Sequence, residues 1–578
     1  MNSSIFINLL TFFMGYLLMN TVQADTINFP KIVPSNLSAS RFGYDLKITF
    51  SSKFQHYQLQ DQNYILCTSI PASHVAPIIA ICQELVDRGH NVVLVLEEKE
   101  FNKIKDFWTG GHLVVPDSID RDTLTEIQLV LSSAPFYELL KTVFDLLSVF
   151  SWTILETYPI LMKKPPIFII CDIFTSAGFI LAEKFNIPAV ATWSGQSMTS
   201  VNDYISPMWY PPANSMSTAN VLAMTYFEMV KNVFSRLLSD VVSCFIGLES
   251  INMQRRHFGV RELEHPIDIS QQYPLFLSSP IGLDFAHPIL PSHFPIGPYF
   301  RANFDKKNLP NDLQLWLDQA TNVIYISFGT ATPPNFEQIQ TIHRALEKQN
   351  KSLRYLWSLD KPYQHLLEKA NISQLLNVRY ASYLPQIEIL KHPNVILFLS
   401  HGGFNSIAES LIFNKPMLII PLTSYMDHAD NGLRVQKAGG GLMHFGWHMN
   451  LTLLQEQISL LLENITVNIA DNNVTYLNPN DFKRLNHFYA DAHRIARLFR
   501  SAGGTTRAAT IIEEFLEFGY QHLIFNQPSY KQSVILYTLV LLTIIVIVAP
   551  LLLLPYCCCR MCCHKLKSKL IKQKAKVN

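Results

Sequence analysis

The stretch NVILFLSHGGFNSIAE, residues 394–409, decides the architecture. Residues 394–400 form a near-continuous apolar run, the pattern of a strand whose sheet is covered by helices on both faces. The run passes directly into two glycines, and a helical pattern follows. Open parallel sheets bind ligands in the crevice beyond the carboxyl ends of their strands. At such a strand-to-helix junction, unpaired N–H groups and the helix dipole favour phosphate. His401 can add a hydrogen bond, and Asn405 and Ser406 fall in the first helical turn. Glu409, four residues after Asn405, lies on the same helical face, where a carboxylate suits ribose hydroxyls. A Gly-Gly turn before a helix is by itself ordinarily a plain cap, so its surroundings decide.

Working outward, the same alternation recurs. Val323–Ser327 reads as a strand, 336–348 as a helix, 355–358 as a strand and Met417–Leu422 as another. These place a second α/β domain at 301–480. Upstream, the apolar run 64–70 precedes Pro71-Ala72-Ser73-His74 and a helical pattern that ends at Gly89, and a strand follows at 91–96. This is a parallel βαβ unit. With strands at 167–171 and 189–193 it gives a first α/β domain at 61–300. Two aromatic, apolar stretches, 125–163 and 196–250, exceed ordinary connections and suit the lining of an apolar pocket. Residues 481–530 read as a helical segment packing back, followed by a membrane-proximal linker. Residues 25–60 show no periodicity.

The chain has 578 residues, 48% hydrophobic and 16% charged, with 46 Lys plus Arg against 45 Asp plus Glu. That composition excludes a disordered chain, and the body carries no basic stripe of the kind nucleic acid requires. Seven basic residues and no acid lie between Arg560 and Asn578, so the rest of the chain is mildly acidic. Five of the nine cysteines cluster at Cys557, Cys558, Cys559, Cys562 and Cys563. The four others show no disulfide framework or zinc spacing. The apolar run 5–19 ahead of Val22-Gln23-Ala24 reads as a signal peptide over 1–24. No charge occurs from Ser533 to Cys559, long enough to cross a bilayer. A transmembrane helix is expected at 533–556, with residues 557–578 as a cytosolic Cys/Lys-rich tail by the positive-inside rule. The body then faces the lumen in type I topology, and six sequons, Asn450 among them, suit that side.

The central stretch resembles the signature of the UDP-glycosyltransferase family, the membrane-anchored glucuronosyl- and glycosyltransferases of GT-B fold. The likeness includes Ser327-Phe328-Gly329-Thr330, Tyr383-Leu384-Pro385-Gln386, Leu390, His392, HGGFNSIAES from 401, Pro416, Pro421 and Asp427 through Asn431. The resemblance implies an α/β fold of two facing Rossmann-like domains plus a C-terminal transmembrane helix. The N-terminal domain would bind the acceptor and the C-terminal domain the UDP-sugar. Thr330, His401, Asn405 and Ser406 would hold the diphosphate, Glu409 the ribose, and Asp427 with His428 the sugar hydroxyls. Tyr383 would stack on uracil with Gln386 at the base edge. His74 would be the general base and Asp172 its orienting partner. Most members carry Asp-Gln where this chain has Asp427-His428, and a histidine there is similar to galactose-using relatives such as the ceramide galactosyltransferase.

These features imply an inverting transfer of a hexose or hexuronic acid from a UDP-sugar donor substrate to a hydroxyl of a small lipophilic acceptor, with no separate cofactor. The alternatives are a lipid galactosyltransferase of the ceramide type and a non-catalytic nucleotide-sugar-binding partner subunit. The residues favour endoplasmic-reticulum residence, since Lys574 and Lys576 resemble a dilysine retrieval signal. They leave oligomeric state open, a homo-oligomer included. Asp120-Arg121-Asp122 matches the Asp-x-Asp string of metal-dependent transferases, but no apolar strand precedes it. Gly446 breaks the helical spacing of His444 and His448, so no metal site is expected.

Overall fold

The structure, a computed structural model, describes residues 57–58, 63–119, 136–195, 224–265, 268–284, 288–301, 308–329, 334–349, 352–369, 377–423, 427–463, 487–524, 539 and 542. The signal segment 1–24, nearly all of the 25–60 extension, Asp120 to Asp122, Thr330, the 557–578 tail and all but two residues of the 533–556 span lie outside the described residues. Among the described residues no helix is long and apolar enough to cross a membrane.

Two parallel sheets organise the chain. The first has the order β1-β4-β3-β2-β5-β6-β7-β8, with β1 at Tyr57–Gln58, β2 at Ile65–Thr68, β3 at Val92–Glu97, β4 at Gly111–Val115, β5 at Phe168–Asp172, β6 at Ala189–Trp193, β7 at Leu275–Leu277 and β8 at His293–Pro295. Only β1 runs antiparallel to its neighbour. The second sheet has the order β11-β10-β9-β12-β13-β14, with β9 at Val323–Ser327, β10 at Arg354–Ser358, β11 at Val378–Ala381, β12 at Val395–Ser400, β13 at Met417–Ile419 and β14 at Gly441–Met443. All its pairings are parallel. Every residue of β12 is buried, as its unbroken apolar run requires. Separate cores lie on the two faces of this sheet.

Ten helices matter to the argument: α1 Val75–Asp87, α2 Phe136–Leu155, α3 Ser176–Phe185, α4 Tyr226–Phe258, α5 Phe336–Glu347, α6 Gln386–Lys391, α7 Phe404–Ile412, α8 His428–Lys437, α9 His487–Ala502 and α10 Gly504–Phe518. The two long apolar stretches contribute α2 and α4, which pack on each other. Gln254 Nε2 of α4 donates to the Ser148 carbonyl of α2 at 2.8 Å. After α9 has packed on α7, the chain returns to the first half. There Ala508, Ala509, Ile511, Ile512 and Phe515 of α10 complete the core around β2, β3 and β5. Arg88 and His90 bind the Glu513 carboxylate at 2.8 and 3.0 Å. The outgoing crossing at 296–301 and the returning one touch: the Gly504 N–H donates to the Ile296 carbonyl and the Thr505 hydroxyl to the Phe300 carbonyl, both at 2.7 Å.

Three expectations need correction. An apolar strand, β4, does end shortly before Asp120, although Asp120 to Asp122 lie outside the described residues. The apolar run 417–422 is a strand only over Met417–Ile419, because Pro421 has no N–H to donate to a ladder. The body cysteines, which showed no disulfide framework, include one bonded pair: Cys67 of β2 is joined to Cys82 of α1. The helix folds back over its own strand and brings the two fully buried sulfurs together.

Candidate active site

Among its parallel strands each sheet has one point where chain order reverses, and both candidate clusters lie there. In the first sheet the reversal falls between β2 and β5, and the loops at their carboxyl ends carry His74 and Asp172. In the second it falls between β9 and β12, whose ends lead to Gly329 and His401. Such points open a crevice because successive crossovers leave on opposite faces.

His74 closes a short 3₁₀ turn, Ala72–His74, and caps α1. Its Nδ1 lies 2.9 Å from Asp172 Oδ2. Asp172 is fully buried at the end of β5. It is held by the Phe174 N–H at 3.0 Å and the Ser194 hydroxyl at 3.4 Å. The carboxylate thereby fixes the tautomer of His74 with its proton on Nδ1 and leaves Nε2 as the ring nitrogen free to take a proton. Burial pulls the imidazole pKa down, but the charge and hydrogen bond of Asp172, with the charge of Asp427, outweigh it and leave the value raised. Asp427 belongs to the other lobe, which meets this one across a cleft beside the Asn405–Ser73 hydrogen bond. Phe174 meets the His74 ring edge-on at 5.6 Å.

Across that cleft, His401 follows β12 and is buried between glycines. A side chain on Gly329 (φ +69°) would approach the His401 ring to 2.8 Å, and one on Gly403 to 2.6 Å. Burial and the neighbouring His428, edge-on at 4.6 Å, hold the His401 pKa well below the ordinary range, so the ring is neutral and donates one N–H. His428 opens α8, and burial, opposed by Asp427, lowers its pKa too. Its Nδ1 is buried with no hydrogen-bond partner among the described residues. Asp427 accepts from Asn431 at 2.9 Å.

Asn405 and Ser406 stand in the first turn of α7, where backbone N–H groups have no helical partner. The Asn405 amide nitrogen donates to the Ser73 carbonyl of the opposite lobe at 2.9 Å. Gln386, first residue of α6, donates to Ser406 Oγ at 3.1 Å and to Glu409 Oε2 at 2.6 Å, and its own oxygen lies 3.4 Å from the Tyr325 hydroxyl. Burial raises the Glu409 pKa to about 7, the Gln386 hydrogen bond opposes the rise, and Glu388 adds to it. Tyr383 stands 87% exposed, an aromatic face open to solvent. A cleft of about 190 Å³ lies between α1 and α7; Ala76, Pro77 and Ala80 line it from one side, Asn405, Ala408 and Glu409 from the other, and Arg301 also lines it.

The structure thus brings together His74 with Asp172, His401 with Asp427 and His428, and Gln386 with Ser406 and Glu409. Sequence reading missed three features. The Ser194 support of Asp172 left no local signal. The buried group around Arg434, which binds Asp284 and, at 2.5 Å, Asp430, joins segments 150 residues apart. The link from Asn405 to Ser73 spans 332 residues. His444, by contrast, bonds Gln457 at 2.8 Å and takes no part in the cleft.

Two parallel-sheet lobes, meeting at their reversal points around one cleft, define the GT-B fold. A solved structure of Os79 from O. sativa in complex with UDP superposes with a TM-score of 0.52 at 16% identity, covering 78% of this chain and 99% of that one. The glycotransferase of kitacinnamycin gives 0.55 at 16% identity, covering 79% and 100%. The sequence model described as UDP-glucoronosyl and UDP-glucosyl transferase matches residues 63–474, and the chain belongs to that family. Among its relatives, 2-hydroxyacylsphingosine 1-beta-galactosyltransferase of Rattus norvegicus is 25% identical over 64% of this chain and 68% of its own length. UDP-glucuronosyltransferase 2B10 of Homo sapiens is 26% identical over 63% and 70%.

Proposed function

We propose that the protein is an inverting UDP-sugar transferase acting on a hydroxyl of a lipophilic acceptor. The observation that carries this reading is the His74–Asp172 pair facing the start of α7 across one cleft. His74 Nε2 takes the acceptor proton as the acceptor oxygen attacks the anomeric carbon. The bond from that carbon to the diphosphate oxygen breaks, and UDP departs from the opposite face. Asp172 stabilises the imidazolium that forms. General-base help of this kind is worth roughly 10²- to 10⁴-fold. The departing negative charge falls to His401, Ser406 and the unpartnered N–H groups of α7, donors set in place before the charge develops. Thr330 belongs with them by family likeness. Glu409 takes the ribose hydroxyls, Tyr383 the uracil face, and Gln386 the base edge. The UDP-sugar enters as donor substrate, and the reading invokes no separate cofactor or metal.

The uncharged stretch 533–556 and the basic tail support a single-pass type I anchor, with the catalytic body in the lumen of the endoplasmic reticulum. Lipophilic acceptors partition to that membrane. The buried Cys67–Cys82 disulfide fits an oxidising compartment. A second reading concerns the donor. His428, buried beside Asp427 with an unpartnered Nδ1, supports UDP-galactose, in line with the galactosyltransferase name carried by the Rattus norvegicus relative.

The test is the full-length protein in membranes, incubated separately with UDP-glucose, UDP-galactose and UDP-glucuronate and with phenolic and sphingolipid acceptors, with products read by mass. His74→Ala should lower turnover at least ~10²-fold and leave UDP binding intact. A wild-type protein that binds UDP and transfers nothing would refute the enzyme reading, and an unimpaired His74→Ala would refute the base.

A further inference from the structure

Asn405 has an unusual partner. Its side-chain amide donates, at 2.9 Å, to the backbone carbonyl of Ser73, the residue just before His74, on the other lobe. The sequence withholds the α-helical donor from that carbonyl. In α1 the helical ladder begins with the carbonyl of His74, which caps the helix in helical geometry. Extending the ladder one residue back would require the Ser73 carbonyl to accept from the N–H of residue 77. That residue is Pro77, which has none. The carbonyl thus has no i+4 donor on its own helix, and the opposite lobe supplies one in the Asn405 amide. Pro77 and Asn405 also share the walls of the 190 Å³ cleft.

We infer that Asn405 is a positioning residue whose amide latches the lobes together and sets the loop bearing His74 against the first turn of α7. The inference rests on the proposed transferase reading, in which His74 is the base, and assigns the Asn405 side chain a task other than holding the diphosphate. Its backbone N–H stays with the unpartnered group at the helix start. Two features make the placement consequential. His74 is fixed from behind by Asp172 and from the preceding residue by Asn405, so both its tautomer and its distance from the donor are determined. The latch also springs from the helix whose amino end would face the donor, so donor position and base position share one rigid element.

The test combines a binding, a kinetic and an exchange measurement on the full-length protein. Asn405→Ala should lower kcat about 10-fold or more, as misplacement of a reacting group does, and leave the UDP Kd within about 3-fold. Hydrogen exchange over residues 70–80 should rise in the same variant without any substrate present. Pro77→Ala gives the Ser73 carbonyl a competing N–H; it should lower kcat in the same direction with the pH profile unmoved. The inference is overturned if Asn405→Ala keeps its kcat and raises the donor KM and UDP Kd together, the behaviour of a diphosphate ligand. It is overturned equally if exchange at 70–80 does not change. Wild-type protein inactive on every donor, with the exchange response intact, would remove the transferase reading and leave the latch standing.

Discussion

Glu409 is the group whose protonation bears most directly on donor binding. Burial between α7 and α6 raises its pKa to about 7, against the pull of the Gln386 amide at 2.6 Å. In the free protein about nine in ten of these side chains carry a proton at pH 6 and about one in ten at pH 8. If the carboxylate accepts the ribose hydroxyls, the bound state stabilises the charged form. Binding at pH 7 then releases about half a proton, and affinity falls roughly 10-fold between pH 8 and pH 6, or about 1.4 kcal/mol. The sign follows from linkage, since the state that binds fewer protons gains as pH rises. The neutral His401 and His428 act in the opposite sense, because an anion beside them favours proton uptake.

Calorimetry with UDP-glucose or UDP-galactose, in buffers of different ionisation enthalpy, measures the net release. A nucleotide sugar is the right probe, because its pyrophosphate is esterified at both ends and has no group titrating near neutrality. Glu409→Gln isolates the term. The variant should lose the release and bind with an affinity that no longer weakens toward pH 6. Equal pH profiles for the two proteins would refute the assignment of Glu409 to the ribose.

Two further outcomes follow from other parts of the fold. Asp172→Asn removes the charge that raises the His74 pKa, so the acid limb of the kcat/KM profile should move to lower pH while its plateau drops ~10²- to 10⁴-fold; a limb that stays in place would show that His74 does not govern it. Arg434→Met takes the guanidinium away from the buried Asp284 and Asp430 and should cost about 3–5 kcal/mol, read as a fall in the thermal midpoint. Asp284→Asn added to Arg434→Met should recover part of that loss, and additive losses would refute the shared charge group.

Periodicity reports features that are local. The unbroken apolar run 394–400 foretold a fully buried strand, and β12 spans Val395–Ser400. The glycine pair after it admits the His401 ring, which a side chain on Gly403 would approach to 2.6 Å. Residue pairs that meet only through topology left no comparable trace. Cys67 and Cys82 are 15 residues apart, a distance that acquires meaning only once α1 lies over β2. Arg434 and Asp284 meet because the 280–284 loop reaches the second lobe, which no residue pattern announces. Likeness to a family located Asn405, but only coordinates show which atom its amide contacts. The role of Pro77, which withholds the α-helical donor from the Ser73 carbonyl, acquires meaning only beside its partner in the other lobe.

The chain passes between the lobes twice, at 296–301 and again ahead of α10, and the two crossings are stitched by the bonds from Gly504 to Ile296 and from Thr505 to Phe300. A single tether would allow one body to swivel and tilt freely against the other. Two strands of chain bonded to each other resist twisting more than one would, so fewer relative orientations of the lobes are compatible with an intact pair of crossings.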